Sequence, residues 1–468
     1  MKRQTLPTAI AALVVFTASG NTANAQPGAQ GTAQQQLVLE EIIVTARRRA
    51  ELLSDVPASL SVFNQGQIND TNISSLADIA TYTPSLQVNN RFGTDNATFA
   101  IRGFQQELRT TASVGVYFAE VVALRGANSQ VSGDGAPPGD LYDLASIQVL
   151  KGPTGTLFGR NTTGGAVILT PQAPTDEWEG YIEGSTGNYD MWRAQAVVNI
   201  PVSDSFKLRL GTDHQQRDGY IDNFSGIGPD DFADLNYSAY RASFIWNITD
   251  SIENYAIVRY SESDNNGYPG KLIDCNNEQP LGIIFCQDDL DARIAIGKND
   301  FYDTYSFVPD PVNEQEFWQA INTTTWEISE DLLLKNILSY GALETRQRGA
   351  VFSTNWMFGE ADFLFQMVGL AEDFPTTDQV TFVEELQLQG ESFDDRLIWQ
   401  AGVYYESSEP GGQYGAQSPA IISCDIPTLT SSDPADFRCN DLLGAGALQR
   451  TPGGVEYTNM AVYGQGTF

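Results

Sequence analysis

From Trp178 onward, apolar and polar side chains alternate with a period of two in stretches of about ten residues, joined by connections that are alternately short and long. The stretches read as strands at 178–185, 191–200, 206–217, 237–248, 252–262, 316–328, 332–348, 378–390, 396–407 and 457–468. Turns rich in Asp and Ser join them at 201–205, 249–251, 329–331 and 391–395, whereas the gaps 218–236, 263–315, 349–377 and 408–456 are much longer. A membrane-spanning antiparallel barrel explains this asymmetry, because turns on one side only reverse the chain while loops on the other meet solutes. A soluble sandwich alternates in the same way but gives no reason for it.

The alternation sorts side chains onto two faces. Phe206, Leu208 and Leu210 oppose Lys207 and Arg209; Tyr240, Ala242, Phe244 and Trp246 oppose Arg241, Ser243 and Asn247. Leu397, Trp399, Ala401, Val403 and Tyr405 oppose Gln400 and Glu406. One face suits lipid and the other water. His214 falls on the outward set near the long-loop end of its strand, an interfacial position and not a catalytic one.

Export is expected as well. Lys2 and Arg3 precede the apolar run Ala9–Ala18, and Ala23-Asn24-Ala25 has the small-x-small form of a cleavage site, which predicts a signal peptide over 1–25 and a mature start at Gln26. Nowhere does the chain reach the roughly 20 apolar residues of a spanning helix, so a membrane crossing has to use strands. The formal charge of -33, from 59 acidic and 26 basic residues, argues against nucleic acid and against an anionic inner leaflet. Cys275 with Cys286 and Cys424 with Cys439 each lie inside a long gap, which predicts two local disulfides in an oxidising compartment. Neither pair has a CxxC spacing and His214 is the single histidine, so no metal site is expected.

Two further segments precede the barrel of 176–468. Residues 26–50 read as a solvated tether, rich in Gln, Gly and Ala over Gln26–Gln36 and basic at Arg47-Arg48-Arg49. Within it the β-prone hexad Glu41, Ile42, Ile43, Val44, Thr45, Ala46 has no evident core to join. It suits strand addition to another protein's sheet edge, with the first strand of the next domain as the alternative. Residues 51–175 have Gly-rich turns, short apolar strands and a helix expected over Asn72–Ile79, the texture of a compact α+β domain.

Ile101-Arg102-Gly103-Phe104, Val114-Gly115-Val116-Tyr117-Phe118 and Leu150-Lys151-Gly152-Pro153-Thr154-Gly155-Thr156-Leu157-Phe158-Gly159-Arg160-Asn161 occur in that order, and the last run continues through Gly164-Gly165 to Ile168. This ordered set resembles the plug of a TonB-dependent outer-membrane receptor of the siderophore-receptor kind. By that resemblance the hexad stands where the family keeps its TonB box. The fold implied is mainly β: a transmembrane antiparallel barrel, incomplete here at about ten strands, with an α+β plug. Gly152, Gly155 and Gly159 are expected to permit tight turns and Gly164-Gly165 a close approach of strands. Arg102, Lys151 and Arg160 are candidates for charge pairs with the inner wall, with plain exposure as the alternative. Gly159 to Gly164 mimics a phosphate loop, but Gly165-Ala166 stands where Lys-Ser/Thr is required, so nucleotide binding is rejected. The chain departs from the family at Ala119-Glu120-Val121-Val122, where an acidic-glycine turn is common, and that leaves the plug apex near 119–136 open.

The resemblance implies a non-enzymatic importer of the Gram-negative outer membrane, driven by periplasmic TonB and carrying a ferric siderophore, with iron present only inside a chelated cargo and no cofactor of its own. Arg91, Phe92, Arg125 and Tyr268 are candidate contacts for an anionic chelate. Carbohydrate, cobalamin or another scarce solute is the rival cargo. A passive porin or adhesin is the rival class, and it would need neither plug nor tether. A hydrolase is disfavoured by the missing nucleophile elbow and paired acids. A plug of about 125 residues has a radius of gyration of roughly 14 Å, whereas ten tilted strands close at a radius of only about 11 Å. The sequence is therefore expected to be a carboxyl-truncated part of a barrel with about twice that strand number.

Overall fold

The computed structural model describes residues from Ile43 onward, excepting 127–140, 279–286, 351–355, 369–374, 424–439, 442–447 and shorter stretches of one to three residues. The proposed signal peptide, most of the tether, and Glu41, Ile42, Ala46, Arg91 and Phe92 lie outside the described residues.

The leader and plug begin with β1 (Ile43–Val44) and β2 (Glu51–Leu52), paired antiparallel. There follow β3 (Leu60–Asn64), α1 (Gln65–Asp70), α2 (Leu76–Tyr82), β4 (Leu86–Asn89), β5 (Thr98–Ile101), β6 (Val114–Phe118), β7 (Val121–Val122), β8 (Leu144–Lys151), α3 (Gly155–Phe158) and β9 (Gly165–Pro171). The helix expected from Asn72 starts later because Ser75 and Asp78 form a capping box: the Ser75 amide donates to the Asp78 carboxylate at 2.8 Å. Five strands make the central sheet in the order β3, β8, β9, β6, β7, with β6 and β9 parallel. Ile147, Val149, Val167 and Leu169 are fully buried on one face of it, and Leu150, Ala166 and Ile168 pack on the other. Gly165 is required by geometry: its φ is +148°, and a Cβ there would lie 2.1 Å from the Leu150 carbonyl oxygen. Gly152 and Gly159 also hold positive φ, whereas Gly155 opens α3 without it.

Ten long strands form the wall: β10 (Glu179–Thr186), β11 (Trp192–Ser203), β12 (Phe206–Arg217), β13 (Leu235–Thr249), β14 (Ile252–Asn265), β15 (Val312–Ser329), β16 (Leu332–Ala350), β17 (Thr377–Ser392), β18 (Leu397–Pro410) and β19 (Tyr457–Thr467). Each pairs antiparallel with the next. Among the described residues β10 and β19 do not pair with each other, so the wall is an open sheet curved around the plug. The two faces are those the alternation dictates. Arg209, Arg241, Arg259, Gln319, Glu385 and Glu406 are buried on the inner side, while Leu210, Tyr240, Trp246, Val258, Trp326 and Val403 are exposed on the outer. Outward rings stand toward the short-turn ends at Phe206, Trp246 and Trp326, and toward the long loops at Tyr240, Tyr260 and Trp318. His214 faces outward beside Trp192, with ring centroids 4.7 Å apart, and its Nδ1 lies 2.9 Å from the Ser238 hydroxyl. The apolar band ends toward the long loops at Glu262, Glu316, Glu344 and Asp378, which stand side by side in register on β14 to β17. Carboxylates so placed cannot sit in hydrocarbon and mark its boundary.

In the long loop between β14 and β15, Cys275 is disulfide-bonded, and the chain's other three cysteines lie outside the described residues.

Candidate functional site

The functional geometry lies where the plug touches the inner wall. The hairpin β6–β7 turns at Ala119-Glu120, both in the left-handed region with φ of 47° and 71°. Two L-residues in that conformation carry a backbone cost that flanking contacts offset. Those contacts are on the wall near its short-turn end, where the Glu120 carboxylate pairs with Lys335. The turn, which the sequence left open, is therefore a foot set against the wall.

Arg48 joins the leader to this foot. Its guanidinium donates to the Leu157 carbonyl at 3.1 Å, the Glu120 carbonyl at 3.2 Å and Glu385 of β17 at 3.1 Å. It also stacks on the rings of Phe158 and Tyr117, 5.1 and 5.7 Å from their centroids. Burial works most strongly against the charged form, but Glu385, Tyr117, Glu120 and Tyr463 together outweigh it, and the pKa of Arg48 is raised above the ordinary arginine value. Burial pushes the Tyr117 hydroxyl up to about 12, so it is a fixed donor, bonded to the Phe158 carbonyl at 2.5 Å. The cavity left among these groups is about 10 Å³, no more than the space of a single water.

Glu406 of β18 makes the second contact. One carboxylate oxygen accepts from Arg125 and the other from Arg160, each at 2.8 Å, while Tyr404 and Asn459 donate to the Arg160-bound oxygen. Arg125 lies 4.1 Å over the Tyr457 ring, and Arg160 also holds the Ala123 carbonyl at 3.1 Å. At the third contact plug Asp143 accepts from Nε and Nη2 of Arg209, at 2.8 and 2.6 Å, and is met by Arg241 at 3.2 Å, while Nη1 of Arg209 donates to Glu179 at 2.8 Å. Leader and plug cations thus meet wall anions at Glu385 and Glu406, while plug anions meet wall cations at Lys335 and at Arg209 with Arg241. Such an arrangement fixes orientation, yet each pair is a discrete contact that can be broken.

Several sequence expectations change here. The hexad was expected to have no core to join, yet Val44 is fully buried with Val56, Tyr117, Leu150 and Phe158, and the Thr45 amide donates to Gln148 at 3.1 Å. The segment after the hexad is equally committed, since Arg48 is only 4% exposed. Arg125 is no free loop cation, because Glu406 and Tyr457 occupy it. Tyr268 lies in a long loop, edge-on to Tyr220 at 6.5 Å. Of the three proposed wall-pairing cations, Arg160 reaches the wall; among the described residues Arg102 and Lys151 form no ion pair. Burial and then neighbouring Arg102 lower the pKa of Lys151. Sequence reasoning missed Arg48, Asp143 and Glu385. Their only signal was charge in or beside apolar β-patterned segments, which does not name a partner.

Fold and contacts together define a class: a folded plug pinned inside a β-wall with an apolar outer face. Residues 53–166 match the family model for the TonB-dependent Receptor Plug Domain, so the chain carries the plug of that receptor family. It is 25% identical over 184 residues to the ferripyoverdine receptor of Pseudomonas aeruginosa, which covers 39% of this chain and 21% of that protein. It is 24% identical over 239 residues to the vitamin B12 transporter of Vibrio vulnificus, covering 49% and 36%. The solved P. aeruginosa receptor FpvA, bound to a heterologous pyoverdine with iron, superimposes with a TM-score of 0.64 at 14% identity, over 91% of this chain and 51% of that one. The chain thus aligns with about a fifth to a third of those curated relatives and with half of that solved structure.

Proposed function

We propose that this chain forms the plug and part of the barrel of a TonB-driven importer in the Gram-negative outer membrane, and that its cargo is a ferric siderophore. One observation carries the mechanical reading: Arg48 clamps the leader to residues 120 and 157, next to the segments that Glu406 pins to the wall through Arg125 and Arg160. A pull on the leader through Glu41 to Ala46 would first extract Val44 and Arg48. The load would then fall on the β6–β7 hairpin and the 157–160 turn, releasing the contacts that close the lumen. No bond chemistry is involved; the work is conformational, and iron would travel inside the cargo.

Because the leader is docked, capture by TonB needs a prior undocking, which cargo binding would favour by shifting a population. The vitamin B12 transporter among the relatives supports a second reading, cobalamin uptake through the same machinery. The test is growth and labelled-solute uptake in cells whose other receptors are deleted, with the intact receptor and with Glu41 to Ala46 removed. Ferric siderophores should support uptake only when the hexad is present. Uptake that survives the deletion would mean a passive channel, and uptake of cobalamin alone would reassign the cargo.

A further inference from the structure

Residues 172–178 lead from the last plug strand, β9, to the first wall strand, β10. Fully extended, a link of that length spans at most about 23–25 Å, slack enough for the plug to slide along the wall. It is not slack. Asn199 of β11, fully buried, grips its backbone: Oδ1 accepts from the Thr175 amide at 3.0 Å, and Nδ2 donates to the carbonyls of Thr175 at 3.0 Å and Glu177 at 2.6 Å. A side-chain amide offers an acceptor and two donors on one planar group, and here both donors and the acceptor are used. The grip continues into the plug, because the Gln172 amide donates to the Asp143 carbonyl at 3.0 Å and Asp143 is the residue that Arg209 and Arg241 hold. The Thr175 hydroxyl also reaches Glu179 at 3.0 Å and Lys207 meets Asp176 at 2.7 Å, but the Glu179 and Asp176 side chains are 45% and 74% exposed, and exposed pairs hold little. Asn199 stands six strands from Glu385 of β17, about 29 Å around the wall at about 4.8 Å per strand, so separate parts of the wall grip the entry and the exit of the plug.

We propose that Asn199 is a positioning residue that anchors the exit of the plug, and that this anchor returns the plug to its seat after displacement. What a pull on Arg48 does depends on the far end of the pulled body. With the exit held, the force deforms the plug against the wall; with the exit free, the plug follows the pull by the length of the link. The anchor also keeps Asp143 beside Arg209 and Arg241 once Glu385 and Glu406 have let go, so reseating is a tethered step at high effective concentration and not a search. The anchor itself stands on the three bonds of Asn199, and its use in transport rests on the import reading.

The experiment records single-receptor ionic conductance across a planar lipid bilayer for the intact receptor carrying Glu406→Gln, Asn199→Leu or both. Glu406→Gln alone should give brief openings that reclose, and Asn199→Leu alone should stay closed because Glu406 still pins the plug. Together they should lengthen the mean open time roughly tenfold while changing the opening frequency by less than about twofold. If Asn199→Leu prevents folding, Asn199→Asp decides: it keeps the bond from the Thr175 amide, gives up the two donated bonds, and should lengthen the open time as well. An Asn199 that only stabilises its surroundings would raise the opening frequency and leave the open time unchanged. That result, or open times no longer than those of Glu406→Gln, would overturn the anchor and leave the import reading standing. The import reading falls separately, if uptake survives removal of Glu41 to Ala46, and the anchor's role in transport falls with it.

Discussion

Glu406→Gln tests whether the plug is held by charge. The Arg125 and Arg160 side chains are 6% and 12% exposed, and the Glu406 side chain is fully buried. Removing the carboxylate charge leaves two cations facing each other with little water to screen them. Taking away one partner of a buried pair costs about 3–5 kcal/mol. Gln still accepts one hydrogen bond, Arg125 keeps the Tyr457 ring and Arg160 keeps the Ala123 carbonyl, so the low end applies. A cost of about 3 kcal/mol corresponds to roughly a hundredfold rise in the population with this contact open. Arg160→Gln should cost less, about 1–2 kcal/mol, because Glu406 then keeps Arg125, Tyr404 and Asn459. The double variant should cost less than the sum, with a coupling of about 0.5–3 kcal/mol. Native-state hydrogen exchange at amides 121–125 and 158–164 in reconstituted receptor reads these populations. Wild-type exchange in Glu406→Gln, or strictly additive costs, would refute the pinning.

Three further outcomes follow from other contacts. Arg48→Ala should free the leader by about 2–3 kcal/mol, seen as roughly 30- to 150-fold faster thiol labelling of a Thr45→Cys probe; an unchanged rate would mean that Val44 alone docks the segment. Gly165→Ala should break the β8–β9 pairing at a cost above about 3 kcal/mol, read as exchange or proteolysis of the plug while the wall strands stay protected. Burial, with Asp231 and Asp264 adding to it, pushes the Asp234 carboxyl up to about 6 against the bond from the Asn266 amide. Its folded pKa then exceeds the unfolded one, so the loop contact strengthens as pH falls through about 6 and gains nothing more below the unfolded value. Protection of amides 231–236 and 264–267, relative to their intrinsic exchange rates at each pH, should rise between pH 7 and pH 5, and Asp234→Asn should abolish that rise.

The wall was legible because its code is local. A period of two and an alternation of short and long connections place a strand whatever its neighbours are, and Arg209, Arg241 and Glu406 could be assigned to a face from position alone. The helix after Asn72 was misplaced by a few residues because its cap is a reciprocal bond between Ser75 and Asp78, and local pattern locates helix ends poorly. The hexad was misjudged for a different reason. Ile43 and Val44 read as unabsorbed when the only cores considered were sequential ones, but Val44 fills a gap between residues from 56 to 168.

By itself, the order of residues determined that this chain makes an amphipathic antiparallel wall preceded by a glycine-punctuated α+β plug, because periodicity and turn chemistry act over a few neighbours. Only the tertiary structure decided which charges meet. Arg48 finds Glu385 across 337 residues and Arg125 finds Glu406 across 281. Nothing in local spacing encodes such a pairing; it exists because the closing wall and the folded plug bring their surfaces into contact, where buried ions must find partners or remain in water.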